Sequence, residues 1–198
     1  MVFSDESIIQ CGSEQTQYVR RRSHEALRED CVVQRVKHPT QVMIWGVMSV
    51  HGAGRLHIVQ GTMNQFQYLT VLETRLERQL EDWAAVRGFS GVGDFVYMHD
   101  GAPCHKSRTV QAFFEERGIE VLPWPGNSPD MNPIENLWGI LKRKMRDINI
   151  TTKQQLIEEL IKVWARNPDI SAQCRDLVHS MPSRIAALIR ARGGFTKY

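Results

Sequence analysis

The 198-residue sequence lacks the features that mark several large protein classes. Its four cysteines, Cys11, Cys31, Cys104 and Cys174, are scattered, and no two form a C-x-x-C pair. That argues against a zinc knuckle, a dithiol redox motif or a disulfide-stapled small fold, and makes reduced thiols the simplest reading. No apolar run approaches the roughly 18 to 20 residues that cross a bilayer, and nothing at the N-terminus reads as a signal peptide. An intracellular location without a membrane partner is expected. Internal repeats and low-complexity segments are missing too. Charge of one sign is scarce: the net charge of +3 and a pI near 8.7 lean basic, too weakly to prove a polyanionic partner.

What is present describes an ordinary globular protein: 42% hydrophobic residues, 24% charged and five tryptophans. This length favours one domain, residues 1–198, over two. The chain opens directly on a strand pattern, MVFSDES, so a preceding piece of the protein is expected.

TQYVRRR is a second strand candidate, and the charge-rich stretch from about residue 12 to 40 reads as a loop or insertion. QVMIWGVMSV is a strongly apolar strand, and after the turn HGAG the run RLHIVQG reads as its hairpin partner. Apolar residues Phe66, Leu69, Leu72, Leu76, Leu80 and Trp83 recur at helical spacing, predicting a long helix over Asn64 to Val86. FVYMHD is a short strand of the kind covered on both sides. A helix follows from about Lys106 to Arg117, closed by Gly118, and then a short strand in IEVLPW. A helix opens after Asn132, and two more are expected at Thr152 to Arg166 and Pro182 to Arg192. With TQYVRRR set aside, three antiparallel strands precede two parallel ones, an α/β domain with a mixed five-stranded sheet flanked by helices.

Three acids stand at the ends of these elements. Asp5 ends the first strand and Asp100 ends the fourth, and ligands of open α/β sheets bind outside the carboxyl ends of parallel strands. Each also has a local explanation: Asp5 can cap a turn through Ser4 and Ser7, and Asp100 before Gly101 can make a D-G turn. Glu135 opens the helix in SPDMNPIENLWGILKRKM, where Asn132, Pro133 and Glu135 resemble a capping box. If the three converge at one sheet edge, their mutual repulsion and desolvation call for a divalent cation. Oxygen ligands without paired His or Cys favour Mg²⁺ or Mn²⁺. Two such ions about 3.5 to 4 Å apart activate a water or 3′-hydroxyl for phosphodiester displacement. No organic cofactor is expected.

FSDES, MIWGVMSVHGAGRLHIVQG, MHDGAPCH and WPGNSPDMNPIENLWGILKRKM together resemble the catalytic domain of Tc/mariner superfamily transposases. Asp100 and Glu135 enclose 34 residues, the spacing of the branch of that family whose third acid is Glu. The resemblance runs from Val2 to the terminal TKY. It implies a ribonuclease H-like fold and a DDE active site formed by Asp5, Asp100 and Glu135. It further implies hydrolytic cutting of DNA at transposon ends, attack of the freed 3′-hydroxyl on target DNA, typically at TA, and no covalent enzyme intermediate. The loop at about 12–40 would correspond to the segment that in relatives reaches a partner subunit, so a homodimer is implied. The family's paired N-terminal helix-turn-helix modules have no counterpart here, which leaves sequence-specific end recognition outside this chain. Many relatives have Asn where this chain has Gly101, a change expected to be tolerated.

Other residues have competing readings. His99 faces opposite to Asp100 on strand alternation, which favours a satisfied sheet-face histidine, whereas His105 in the following loop is as well placed to touch a DNA phosphate. Asp130 and Ser128 read as turn or cap residues. Lys142, Arg143, Lys144 and Arg146, and Arg20, Arg21 and Arg22 in the loop, are candidates for phosphate contacts, although a solvated helix face explains the first run equally. KRKMR also resembles a nuclear localisation signal set inside a helix, and the nucleus is the expected compartment. Trp124 and Trp138 read as packing residues at the site wall. Two rival functions remain: a truncated or domesticated transposase descendant that binds DNA or protein without transposing, and a stand-alone ribonuclease H-like nuclease, which shares the acids but not the motifs around Asp100 and Glu135.

Overall fold

A computed structural model describes residues 1–10, 40–125, 128–146, 148–194 and 196–198. The strand candidate TQYVRRR, Arg20, Arg21, Arg22, Cys11 and Cys31, and all but the last residue of the 12–40 insertion lie outside the described residues. The sheet has five strands in the order β3-β2-β1-β4-β5, namely β1 (Val2–Gln10), β2 (Gln41–Ser49), β3 (Gly52–Val59), β4 (Val96–Met98) and β5 (Glu120–Val121). The first three are antiparallel, while β4 and β5 run parallel to β1, as the alternation of strands and helices led one to expect.

Alternation along β1 and β2 sends side chains to two separate cores. One face carries Phe3, Ile9, Ile44 and Met48. It is covered by α4 (Pro133–Arg146), α5 (Lys153–Arg166) and α6 (Pro168–His179). The other carries Val2, Trp45, Val47 and Tyr97 under α1 (Gln65–Val71), α2 (Glu77–Arg87) and α3 (Arg108–Glu116). β2 is covered on both sides, which is why QVMIWGVMS reads as a nearly unbroken apolar run.

Several expected boundaries move. Asp5 is not at the end of β1: the strand runs on to Gln10 against β2, and only its pairing with β4 stops at Phe3. The hairpin turn is Val50–His51 rather than HGAG, and β3 starts at Gly52, whose φ of +121° suits glycine. α1 and α2 join through a π-helical turn, Leu72–Leu76, into the long helix expected from Asn64. Its start is held by a reciprocal cap between Asn64 and Gln67. Phe66 does not join the core stripe and is 66% exposed, while Tyr68 and Val71 take the buried positions. α3 starts two residues later than expected, capped by Ser107. Before α7 (Met181–Arg190) there is a helix that periodicity did not reveal, α6, because Asn167-Pro168 both ends α5 and opens α6.

Candidate active site

The site begins with strand register. Phe3 pairs with Met98 across the parallel β1–β4 ladder, so Asp5 and Asp100 each stand two residues beyond the same pair. Asp5 shares a face with Phe3, the face over which α4 runs. Across β2, the partner of Asp5 is Gly46. A Cβ on Gly46 would lie 2.6 Å from Trp138 and 3.3 Å from Trp164, so only glycine lets these stacked indoles close over the strand. Trp138 lies three residues after Glu135 and is fully buried, and its packing sets the height of Glu135 above Asp5. At the mouth of the helix, Asn132 caps Ile134 N through Oδ1 at 3.4 Å and reaches Ser4 O through Nδ2 at 3.5 Å, tying α4 to β1.

Glu135 therefore does not complete a capping box. Asn132 N donates to Pro129 O, and the Glu135 carboxyl meets that of Asp5 within hydrogen-bonding reach. Burial, then the charges of Glu135 and Glu6, push the Asp5 carboxyl up to about 8. Near neutrality Asp5 therefore keeps its proton.

Asp100 is level with this pair but differently engaged. Its Oδ1 accepts from His105 Nδ1 at 2.7 Å and from Ala102 N at 2.9 Å, so the turn reading of Asp100 also holds. The hydrogen bond from His105 is the main cause that keeps the Asp100 carboxyl below the usual range. The expected convergence of three acids is thus a pair with a third held apart. Among the described residues no three His, Cys, Asp or Glu side chains gather closely enough to hold a metal together. The donor set still fits a hard dication, because Asp5 and Glu135 bring two carboxyls together and both hydrogen bonds to the Asp100 carboxylate fall on one oxygen.

His105 is 3% exposed, and this burial replaces the outward phosphate contact considered from sequence. Its Nε2 meets Glu6 Oε1 at 3.4 Å and its ring lies 4.1 Å from that of Tyr68. Burial opposes its charge, but the hydrogen bonds to Asp100 and Glu6 prevail and push the imidazole up to about 10. Glu6, the neighbour of Asp5 on β1, was missed from the sequence. Its only signal is its place one residue along, on the opposite face. His99 is the satisfied sheet-face histidine expected, bonded through Nδ1 to Tyr68 OH at 2.8 Å and lowered to about 3 by burial and the adjoining His105.

Of the basic run, Lys142, Arg143 and Arg146 are exposed, while Lys144 pairs with Asp169 at 2.8 Å. Asp130 is a turn residue whose carboxylate accepts from Thr196, and Ser128 precedes that same turn. Trp124 packs partly buried against the acid-side core that holds Trp138. A Cβ at Gly101 would meet only the flexible end of Lys106, at 2.9 Å. Arg184 was also missed: 2% exposed, it donates to Asp130 O at 2.7 Å and to Asn136 Oδ1 at 2.6 Å, bracing α7 against the residue after Glu135.

Comparison with known proteins identifies the family and the fold. Residues 1–157 match the family model of the DDE superfamily endonucleases. The whole chain is 34% identical to the transposable element Tc1 transposase of Caenorhabditis elegans and 34% identical to the Tcb2 transposase of Caenorhabditis briggsae, covering 70% of each. Among solved structures, the Mos1 transposase paired-end complex with left transposon end matches 99% of the chain with a TM-score of 0.79 at 19% identity, the chain covering 56% of that protein. The Mos1 catalytic domain determined with raltegravir and Mg matches with a TM-score of 0.73, also at 19% identity, the chain covering 85% of it. The five-stranded mixed sheet with helices on both faces is accordingly the ribonuclease H-like fold of that catalytic domain. The chain belongs to the DDE superfamily endonucleases, as a catalytic domain of the Tc/mariner transposases.

Proposed function

We propose that this domain carries out the DNA chemistry of cut-and-paste transposition, cleaving strands at transposon ends and joining the freed 3′-hydroxyl to target DNA, typically at TA. The observation that carries this reading is the meeting of Asp5 and Glu135, from the first strand and a late helix, beside an Asp100 held level with them on the adjoining parallel strand. Asp5, Asp100 and Glu135 are the residues that would hold Mg²⁺ or Mn²⁺, two ions in the proposed active state. When bound, such cations lower the pKa of a water or hydroxyl and stabilise the leaving oxygen. Asp5 and Glu135 would supply carboxylate oxygens to such ions, and the proton held by Asp5 would leave on loading. His105 orients Asp100 by its 2.7 Å hydrogen bond. Lys142, Arg143 and Arg146, with Arg20, Arg21 and Arg22 of the insertion, would track the phosphate backbone. The proposed active complex is a homodimer with DNA, acting in the nucleus. No helix among the described residues is long and apolar enough to cross a membrane.

The test is nicking and strand transfer on DNA carrying pre-exposed transposon ends. With Mg²⁺ or Mn²⁺ the wild-type chain is expected to act, and Asp100→Asn or Glu135→Gln to lose at least about a thousandfold in rate. Circular dichroism would verify that the variants are folded. Activity that persists in chelator, or in folded Glu135→Gln, overturns the reading.

A further inference from the structure

On the sheet edge away from β4 and β5 lies a cavity of about 550 Å³ that the transposition chemistry does not use. It follows the outer edge of β3, which no other strand pairs among the described residues, between the π turn and α2 on one side and α5 on the other. Its two walls differ. On the α2 side stand Arg55, His57 and Arg75; on the α5 side stand Leu56, Ile58 and Trp164, with Ile161 49% exposed at the rim.

The basic wall is incompletely satisfied. Arg55 Nε, His57 Nδ1 and Arg75 Nε are buried atoms with no hydrogen-bond partner, and all three belong to residues lining this one cavity. Arg55 reaches Asp82 through Nη2 at 2.8 Å, but Arg75 has no acidic partner among the described residues. Buried donors without acceptors are costly, and a ligand bearing anionic oxygens would relieve them. The backbone edge adds a second demand: Gly54 O accepts from Trp164 Nε1 at 2.7 Å, while Arg55–Ile58 have no strand on their outer side among the described residues. An unpaired edge with helices on both flanks is a template for an added strand.

We infer that this slot binds an extended segment of a partner protein in which acidic and apolar residues alternate. An added strand sends successive side chains to opposite faces of the sheet. Its carboxylates would then meet Arg55, Arg75 and His57, while the intervening residues pack on Leu56, Ile58, Ile161 and Trp164. Duplex DNA satisfies the cations but gains nothing from the apolar wall or the backbone edge, so peptide is the better match.

The experiment uses the 198-residue chain and a labelled synthetic peptide of about eight residues alternating Glu and Val, with binding read by fluorescence anisotropy. Three outcomes are expected: saturable binding, at least ~tenfold weaker for a peptide with the same residues in two blocks; a comparable loss when alternate backbone amides are N-methylated, which leaves the protein untouched; and a comparable loss in Arg75→Glu, with Arg55→Glu as the second variant should the first fail to fold. No saturable binding, equal affinity for the Lys-Val counterpart, indifference to N-methylation, or displacement by duplex DNA at the same site would each overturn the inference.

Discussion

Asp5 and Glu6 are neighbours on one strand, yet the two faces of the sheet treat them in opposite ways. Asp5 meets another acid, Glu135, and its carboxyl is driven up to about 8. Glu6 meets His105, which is pushed up to about 10 while resting on Tyr68 and gripping Asp100. On the α4 face two acids adjoin; on the α3 face the His105 imidazolium lies between Glu6 and Asp100. The second arrangement supports folding and the first opposes it at neutral pH. A fold that keeps an arrangement opposed to its own stability beside one that favours it marks the former as the candidate site, with the latter as the frame that holds Asp100 beside it.

The largest effect on this contrast is expected from Trp138→Ala. Trp138 is fully buried, stacks on Trp164 at 5.3 Å and seats α4 over Gly46. Its loss should destabilise the chain by about 3–5 kcal/mol in denaturant unfolding and release Glu135 from Asp5, so that the pH dependence described next disappears with it. Unchanged stability would mean that α4 is not anchored by the indoles.

Next in size is Asp5→Asn, measured in chelator. The folded pKa of Asp5 is raised from 3.8 to about 8, so its contribution to stability is fully present below about 4 and is lost as pH rises through 8. The asparagine variant escapes that loss. At pH 7.5 it should be more stable than the wild type by about 1–2 kcal/mol, while at pH 4 the two should coincide. A variant less stable at pH 7.5 would show that the acid pair supports the fold.

Much of this frame was legible in the residues. The apolar run of β2, the short FVYM strand and the alternation of strands and helices led to the mixed five-stranded sheet, and helical spacing of Ile134, Leu137, Trp138 and Leu141 gave α4 its buried face. What was not legible depends on lengths and side-chain turns that no local pattern encodes. The place of Asp5 within β1 follows from β2, which pairs on to Gln10 after β4 has stopped at Met98, a property of other strands. Glu135 has the spacing of a cap, and only the packing of Trp138 turns it to Asp5. Asp100 stands where expected, but a histidine five residues later decides which way its carboxylate is held. Arg184 has a local acceptor in Ser180, four residues earlier, but the acceptors that tie α7 to the site are on a distant turn and on α4.

The smallest effect, and the sharpest use of the contrast, is expected from Glu6→Gln. Against burial, the hydrogen bonds to Asp100 and Glu6 raise the folded pKa of His105 from 6.5 to about 10, so its stabilising contribution is fully present below about 6.5 and is lost as pH rises through 10. Removing the charge of Glu6 removes part of that rise but leaves the stronger partner, Asp100, in place at 2.7 Å. Glu6→Gln should therefore lower stability at pH 7 by about 1 kcal/mol and bring the alkaline loss to lower pH, whereas Asp5→Asn one residue away raises stability. Two adjoining acid-to-amide changes of opposite sign would follow from the faces to which they point. Equal signs at pH 7.5 in chelator would show that the sheet does not divide a site from its frame at this row.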